Sequence, residues 1–244
     1  LKHRNLVNLI QYQYEHTSID FSKVLQFTTI SFDVSFQEIF STLLSGGTLY
    51  LIESSMRQDV PRLFELVTRH QIPTLFLPAS FLKFVFNRDD YTEHWPVTVK
   101  HIVTAGEQLV VGPLFRQYLE ENEITLHNHY GPTESHVVTA FEMRPGIPIE
   151  ELPSIGKPVS NTSIHILGPN RQLQPIGIPG ELVISGTQVA RGYLNNPELT
   201  SKKFHHEGRE GKEENYKLQI TNSKQITNNK KQITNEKAFG QKSG

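Results

Sequence analysis

The stretch VLQFTTISFDVSFQEIFSTLLSGGTLYLI, residues 24–52, contains a strand pattern, a helix pattern and a second strand pattern in succession. Val24–Ile30 is rich in β-branched and aromatic residues and predicts a strand. Ser35 followed three residues later by Glu38 has the spacing of a capping box, which predicts a helix start. The apolar residues that then share one helical face are Phe36, Ile39, Phe40, Leu43 and Leu44. Gly46-Gly47 predicts the end of this helix, and Thr48–Ile52 predicts a second strand.

The same alternation continues to about residue 150. Asp59 and Pro61 predict the start of a second helix, and Pro113–Glu121 predicts a third. Further strands are predicted at Thr74–Leu77, His101–Thr104 and Ile124–Tyr130. Strands that alternate with helices predict an α/β fold for residues 1–150, a mostly parallel sheet flanked by helices. In such sheets, ligands bind at the loops that follow the carboxyl ends of the strands.

The pattern changes twice after residue 150. We expect residues 151–204 to form a small β-rich subdomain, because Ser163–Leu167 and Glu181–Ser185 have strand patterns separated by residues typical of turns. Residues 205–244 contain few large apolar side chains and repeat the sequence Gln-Ile-Thr-Asn three times. Such a composition predicts a low-complexity, disordered tail.

Charge and cysteine content exclude several classes of function. The chain carries 24 Lys or Arg and 25 Asp or Glu, so it has no overall attraction to nucleic acids or anionic membranes. A basic nucleic-acid arm is the alternative for residues 201–244, where ten Lys or Arg accompany five Asp or Glu. The absence of cysteine excludes disulfides, zinc–thiolate sites and a cysteine nucleophile, and it fits a reducing compartment such as the cytoplasm. No apolar run approaches the roughly 18 residues of a membrane span, so we expect no membrane partner.

Three loops after predicted strands carry residues suited to chemistry. Asp33, between a strand and a helix, either complements the helix dipole or binds a cation such as a substrate ammonium. In Asn128–Ser135 (NHYGPTES), the hydroxyl of Thr133 and the carboxylate of Glu134 suit a phosphate with Mg²⁺, although an ordinary surface turn has the same composition. The glycine of the third loop, Ala105-Gly106-Glu107, allows a ligand to approach the backbone.

Two histidines lie two residues apart in the predicted strand that precedes the second of these motifs. His127 and His129 share a face of that strand, a spacing compatible with zinc binding, but no third ligand is evident in the sequence. The alternative is that both are core or pocket histidines.

Together these segments resemble the adenylation domains of nonribosomal peptide synthetases, which belong to the adenylate-forming superfamily. The resemblance covers about residues 1–204, and its motifs, in family order, are Phe32–Phe40, Thr104–Glu107, Asn128–Glu134, Gly180–Leu182, Ala190–Tyr193 and Pro197–Thr200. It implies an AMP-forming ligase that activates an amino acid with ATP and Mg²⁺. The aminoacyl group then passes to the phosphopantetheine thiol of a peptidyl carrier domain, and condensation domains are further partners within a parent synthetase.

The resemblance also assigns roles to individual positions. It implies that Asp33 pairs with the α-amino group of the substrate, that Thr133 contacts the α-phosphate and that Glu134 binds Mg²⁺; the last two are the expected catalytic positions. The positions that it places around the adenine are Gly106, Glu107, Asn128 and Tyr130. Arg191-Gly192-Tyr193 is interpreted as structural rather than catalytic.

The side-chain pocket of the family can be read in the same way. The matching positions are Asp33, Val34, Gln37, Phe76, Val103, Ala105, His129, Val137 and Val138. None of them beyond Asp33 is charged unless His129 is protonated, which argues against a charged substrate side chain. The set resembles pockets that select proline or methylproline. Asp33 separates the chain from acyl-CoA ligases, whose substrates have no α-ammonium.

Some family motifs are not found in these 244 residues. They are the lysine-bearing phosphate loop, the ribose-binding aspartate motif and the C-terminal subdomain with its catalytic lysine. We therefore expect this chain alone to be inactive. The alternative to an enzyme segment is a catalytically incompetent, truncated remnant that binds ligand weakly or not at all.

Overall fold

The computed structural model describes residues 1–204 and the backbone of residues 205–206 and 217–220. Its helices are α1 (His3–His16), α2 (Val34–Leu44), α3 (Val60–His70), α4 (Ala79–Phe86), α5 (Asp89–Thr92), α6 (Pro113–Glu121) and α7 (Pro197–Lys203), with a 3₁₀ turn at Ser54–Gln58. Its strands are β1 (Lys23–Gln26), β2 (Thr48–Leu51), β3 (Thr74–Phe76), β4 (His101–Ala105), β5 (Thr125–Tyr130), β6 (Thr139–Met143), β7 (Lys157–Pro158), β8 (Thr162–Leu167), β9 (Glu181–Gly186), β10 (Phe204–His206) and β11 (Lys217–Ile220). Among the described residues, no helix has the length and apolar character needed to cross a bilayer.

A seven-stranded sheet in the order β2-β1-β3-β4-β5-β6-β7 forms the larger part of the molecule. The strands from β2 to β5 are parallel, and β6 and β7 add antiparallel pairs at one side. The predicted mostly parallel sheet flanked by helices is therefore confirmed. β7 extends the sheet to Lys157–Pro158, past the predicted boundary at residue 150. Because parallel strands end at the same edge of a sheet, the loops after β1, β3, β4 and β5 lie at one edge.

One row of apolar side chains fixes the register of the parallel strands. Leu25, Leu75, Ile102 and Leu126 are register partners across β1, β3, β4 and β5, and each is almost completely buried. They belong to the largest apolar cluster, which also contains the inner faces of α3, α4 and α6. Burial of each such side chain contributes about 1.5–3 kcal/mol, and a slip of one residue would turn the whole row to the other face.

A second, antiparallel sheet has the strand order β10-β11-β9-β8. Its strands β8 and β9 lie in the predicted β-rich region 151–204, close to the predicted bounds. β10 pairs with β11 and β11 pairs with β9, so the sheet continues into the region predicted as a tail, since backbone pairing requires few apolar side chains. The rest of the predicted tail, residues 207–216 and 221–244, lies outside the described residues.

The start of α2 differs from the predicted capping box. Ser35 Oγ donates a hydrogen bond to the carbonyl of Phe32 at 2.7 Å, and no side chain caps the helix. The carboxylate of Glu38 accepts from the backbone N–H groups of Phe27 and Thr28 at 3.2 and 2.9 Å. Asp33 already has helical angles, φ −62° and ψ −29°, so Ser35 lies inside the first turn, where it cannot act as the cap. The predicted capping box is wrong for this reason.

The polar side of α2 faces the interior of the protein. Its buried residues are Ser35, Gln37, Glu38, Ser41 and Thr42, whereas Phe36, Phe40, Leu43 and Leu44 are exposed. Each buried polar side chain has a partner; for example, Ser41 donates to the Gln13 amide oxygen at 2.8 Å. An ordinary amphipathic helix has the opposite orientation. The helical spacing of the apolar residues is correct, but the face that they form is not the one that packs on the sheet.

Glu38 makes the stability of this fold depend on pH. Burial raises the pKa of Glu38 from 4.5 to about 7, and hydrogen bonds from Thr28, Gln26 and Phe27 offset only part of that rise. The folded chain therefore keeps this proton to a higher pH than the unfolded chain. The stabilisation is complete below the unfolded pKa, and on the order of 3 kcal/mol is lost as the pH rises through the folded pKa.

We expect Glu38→Gln to remove this pH dependence, because glutamine stays neutral and its carbonyl oxygen still accepts from Phe27 and Thr28. Urea unfolding at about pH 5 and about pH 8 should show the variant gaining stability relative to the unaltered chain as the pH rises. Other titrating groups are present in both proteins and cancel in the comparison. An identical change of unfolding free energy in the two proteins would contradict the prediction.

Candidate functional site

The candidate site lies where the loops of the parallel strands meet. Asp33 ends the loop between β1 and α2, Gly106 follows β4, and Tyr130 ends β5. β4 and β5 pair in a register that puts Ala105 beside His129, so the residues that follow these two are also neighbours. The sheet therefore brings most of the predicted site residues to one edge.

The carboxylate of Asp33 has no hydrogen bond or ion pair within the described part of the chain, and the residue is half-buried. Its backbone carbonyl accepts a hydrogen bond from His136 Nε2 at 3.0 Å. The other ring nitrogen of His136 accepts from the N–H of Val137 at 2.8 Å. Burial lowers the pKa of His136, although the nearby Asp33 raises it in part. His136 thus binds the backbone of Asp33 and makes no hydrogen bond with the Asp33 carboxylate.

Three predicted pocket residues pack together beside Asp33. Val34, Phe76 and Val103 belong to one apolar cluster on the face of the sheet that α2 covers. Gln37 and His129, both buried, are joined by a contact of 3.1 Å between Gln37 Nε2 and His129 Nδ1. Burial lowers the pKa of His129 to about 3, so this ring is neutral at physiological pH. Asp33 is therefore the one charged member of the predicted pocket.

The Gln37–His129 pair leaves two buried polar atoms without a partner. Gln37 Oε1 and His129 Nε2 make no hydrogen bond with the protein. When the glutamine amide donates to Nδ1, the ring proton lies on Nε2, so the pair offers one acceptor and one donor. Buried polar atoms without partners are uncommon in proteins, and they mark places where a ligand or water completes the hydrogen bonding.

The remaining predicted pocket residues have other neighbours. Ala105 is half-buried beside His129. Val137 packs with Leu9 and Val159, and Val138 packs with Leu182 in the cluster beneath the second sheet. The structure thus brings together Asp33, Val34, Gln37, Phe76, Val103, Ala105 and His129, and it places Val137 and Val138 in two separate apolar clusters.

The positions predicted to surround adenine lie on β5 and in the loop that follows β4. Gly106 has a φ of +85°, and a Cβ at this position would meet nothing within 4 Å, so the backbone is open to a ligand. The carboxylate of Glu107 accepts from the N–H of Ser80 at 2.8 Å in the first turn of α4. The buried amide of Asn128 donates to the carbonyl of Ser154 at 2.8 Å. These bonds fix the side chains of Glu107 and Asn128.

Glu134 is held from the side of the second sheet. The hydroxyl of Tyr193 donates to Glu134 Oε1 at 2.5 Å, and the N–H of Ala190 donates to the Glu134 carbonyl at 2.9 Å. Thr133, beside it, is exposed. A carboxylate next to a hydroxyl is a donor set that suits Mg²⁺, which binds through few protein oxygens and keeps phosphate and water as its other ligands. Tyr193 and His136 gave no sign of these roles in the sequence, because their partners lie 59 and 103 residues away.

The zinc interpretation of His127 and His129 finds no support. His127 lies 3.3 Å from His101 Nδ1 and 3.5 Å from the Glu142 carboxylate, whereas His129 contacts Gln37. Burial lowers the pKa of His127 well below its usual value, so it too is neutral. In residues 1–204, no group of three or more His, Asp or Glu side chains has the arrangement of a metal site. Both histidines are buried, which favours the alternative of core or pocket residues.

Comparison with known proteins identifies the family. The family described as AMP-binding enzyme matches residues 1–194. The chain is 58% identical over 205 residues to gramicidin S synthase 2 of Brevibacillus brevis, covering 84% of this chain and 5% of that protein. It is also 58% identical over 205 residues to tyrocidine synthase 2 of Brevibacillus parabrevis, covering 84% of this chain and 6% of that protein. The chain thus spans a small part of the curated relatives it matches.

Solved structures agree on the fold. The N-terminal subdomain of Klebsiella oxytoca NpsA in complex with 3-hydroxybenzoyl-AMSN superposes with a TM-score of 0.71 at 22% identity, over 90% of this chain and 55% of that one. NpsA-ThdA, an artificially fused adenylation-PCP di-domain, gives 0.73 at 21% identity, over 90% of this chain and 40% of that one. The chain belongs to the AMP-binding enzyme family. Within it, the chain is a segment of an adenylation domain of the nonribosomal peptide synthetase type.

The turn from Tyr130 to Val138 leaves no room for a side chain at Gly131. A Cβ there would lie 1.6 Å from the carbonyl oxygen of His136, which is a backbone atom that cannot move alone. We expect Gly131→Ala to lower the unfolding free energy by at least about 2 kcal/mol and to displace Glu134 and His136. Urea unfolding measures the loss of stability.

Gly112→Ala is the matched control, since a Cβ at Gly112 meets nothing within 4 Å. Gly112 is the cap residue of α6, and its replacement should cost about 1 kcal/mol or less. Equal stability losses in the two variants would contradict the close approach of Gly131 to the carbonyl of His136.

Proposed function

We propose that this chain is the amino-acid-recognising part of an adenylation domain that activates proline or a methylated proline with ATP. The observation that carries the proposal is the half-buried carboxylate of Asp33, which has no protein partner in the described residues and lies next to an otherwise uncharged pocket. A partly buried carboxylate gains from pairing with a cation, and charge-assisted hydrogen bonds are the stronger ones. The α-ammonium of an amino acid supplies that cation.

The uncharged pocket supports a compact apolar side chain on the substrate. A charged side chain would be buried against Phe76, Val103 and neutral His129 without a partner, at a high cost in free energy. The resemblance of the set to proline-selecting pockets supports the choice of a proline ring. One methyl group contributes only about 1–3 kcal/mol of discrimination, so proline and methylproline are both retained as substrates.

Glu134 and Thr133 define the nucleotide side of the proposed site. Glu134 would hold Mg²⁺, and the Thr133 hydroxyl would contact the α-phosphate, while Gly106 and Tyr130 border the adenine. Bound Mg²⁺ would offset the negative charge of the phosphates as the substrate carboxylate displaces pyrophosphate. The chain's own part is to bind the ammonium at Asp33 and to orient the carboxylate of the substrate toward this turn.

The partners follow from the same proposal. The aminoacyl-AMP would pass its acyl group to the phosphopantetheine thiol of a peptidyl carrier domain, in a cytoplasmic synthetase that also contains condensation domains. The likeness to gramicidin S synthase 2 and to a fused adenylation-PCP structure supports this assignment. We propose that the 244 residues recognise substrate but do not turn it over alone, because no lysine-bearing phosphate loop is found among them.

The first test is calorimetric titration of the chain with non-hydrolysable aminoacyl-adenylate analogues. We expect the prolyl analogue to bind more tightly than the leucyl and lysyl analogues, the lysyl form being weakest because its ammonium would be buried unpaired. Pyrophosphate exchange by the chain alone should stay at the level of a blank. Binding of the lysyl analogue as tightly as the prolyl one would exclude the proposed pocket. Absence of binding by any analogue would favour the alternative of a remnant without function.

The second test isolates the charge of Asp33. Asp33→Asn should weaken binding of the prolyl analogue by about ten- to a hundredfold, because a charge-assisted hydrogen bond contributes about 1.5–3 kcal/mol. An analogue that lacks the amino group should bind the variant and the unaltered chain equally. Asp89→Asn is the control, since Asp89 is exposed in the short helix α5. Unchanged prolyl affinity in Asp33→Asn would remove the ammonium-binding role.

A further inference from the structure

The segment Ala190–Tyr193 reaches across from the second sheet to the turn that carries Glu134. Two hydrogen bonds make this connection: Tyr193 Oη donates to Glu134 Oε1 at 2.5 Å, and the Ala190 N–H donates to the Glu134 carbonyl at 2.9 Å. One bond fixes the backbone of Glu134 and the other fixes its side chain. The positions of the Glu134 carbonyl oxygen and of its Oε1 are therefore both fixed by residues more than fifty positions away in the sequence.

Tyr193 is itself held firmly enough to act as a fixed donor. Its backbone N–H donates to Oγ1 of Thr200, in the middle of α7, at 2.9 Å. Its ring packs edge-on against Phe204, with 5.5 Å between the ring centroids. Phe204 is buried in the apolar cluster beneath the second sheet. The hydroxyl is thus carried on a ring whose position is set by packing, independently of Glu134.

The tyrosine hydroxyl occupies only one of the two carboxylate oxygens. Glu134 Oε2 has no hydrogen-bond partner in the described residues. A donor on one oxygen selects the rotamer of the carboxylate and leaves the second oxygen for a cation. Groups that orient metal ligands in this way commonly change metal affinity about 10–100-fold when they are removed.

We propose that Tyr193 is a positioning residue for the cation-binding carboxylate of Glu134, so that the second sheet sets the Mg²⁺ affinity of the nucleotide site. The inference rests on the proposed function, because it takes Glu134 as the metal ligand. It gives a specific role to a tyrosine that the sequence motif alone presents as structural.

The test compares Tyr193→Phe with the unaltered chain in binding of a non-hydrolysable ATP analogue, titrated by calorimetry over a range of Mg²⁺ concentrations. Phenylalanine keeps the ring against Phe204 and removes only the hydroxyl. We expect the half-saturating Mg²⁺ concentration to rise about tenfold. Affinity for the ATP analogue in EDTA, and for a prolyl-adenylate analogue that needs no metal, should not change. Mn²⁺ binding followed by electron paramagnetic resonance gives a second readout that requires no turnover.

Two further variants separate positioning from general stability. Tyr118→Phe removes a hydroxyl from α6, in a different apolar cluster, and should leave the Mg²⁺ dependence unchanged. Thr200→Val removes the acceptor of the Tyr193 N–H and should shift the Mg²⁺ dependence in the same direction as Tyr193→Phe, by a smaller factor. The same ordering of the variants is expected with Mn²⁺.

Each other outcome has a distinct meaning. The same Mg²⁺ dependence in Tyr193→Phe and the unaltered chain would overturn the inference and leave the proposed function in place. Loss of affinity for both analogues, with or without metal, would show a structural role and would also overturn it. No Mg²⁺-dependent nucleotide binding by the unaltered chain would overturn the proposed function together with the inference.

Discussion

The register of the parallel strands is the constraint on which the site depends. Leu25, Leu75, Ile102 and Leu126 lie side by side in the core, and their burial aligns the carboxyl ends of four strands. Because these ends are aligned, the loop after β1 and the turn after β5, about a hundred residues apart in the sequence, meet at one edge. The apolar face of the sheet therefore determines where the polar chemistry is found, although none of its residues takes part in that chemistry.

The opposite face of the sheet has a different physical character. α2 covers it with polar side chains, which are buried in hydrogen bonds, and turns Phe36 and Leu44 toward solvent. Polar burial of this kind stabilises little, but it specifies one arrangement, because any shift would leave several groups without partners. Gln37 and Glu38 show the two uses of such burial: the first contacts His129 in the pocket, and the second secures the loop that leads to Asp33.

The sequence predicts those features whose signals are local. α6 has the predicted bounds, and Asp59 caps α3 by accepting from Arg62, because both helix starts are specified within four residues. Four strands of the parallel sheet are predicted within one residue of their bounds for the same reason, whereas β1 ends at Gln26 and not at the predicted Ile30. The orientation of α2 could not be predicted, since helical spacing shows which residues share a face but not where that face points. The connections of His136 and Tyr193 are set by tertiary packing, and no local pattern encodes them.

The turn between β5 and β6 joins the two halves of the proposed site. Glu134, on the nucleotide side, is held by Tyr193, and His136, two residues later, holds the backbone of Asp33 on the amino-acid side. Gly131 lies close to the carbonyl of His136, and this tight turn keeps Glu134 and His136 at a fixed separation. Because a rigid turn transmits displacement instead of absorbing it, the positions of the two carboxylates, Asp33 proposed for the ammonium and Glu134 proposed for the cation, are coupled. Activation of an amino acid requires both reactants in one geometry, and this turn links the two residues proposed to bind them through the hydrogen bond from His136 to the Asp33 backbone.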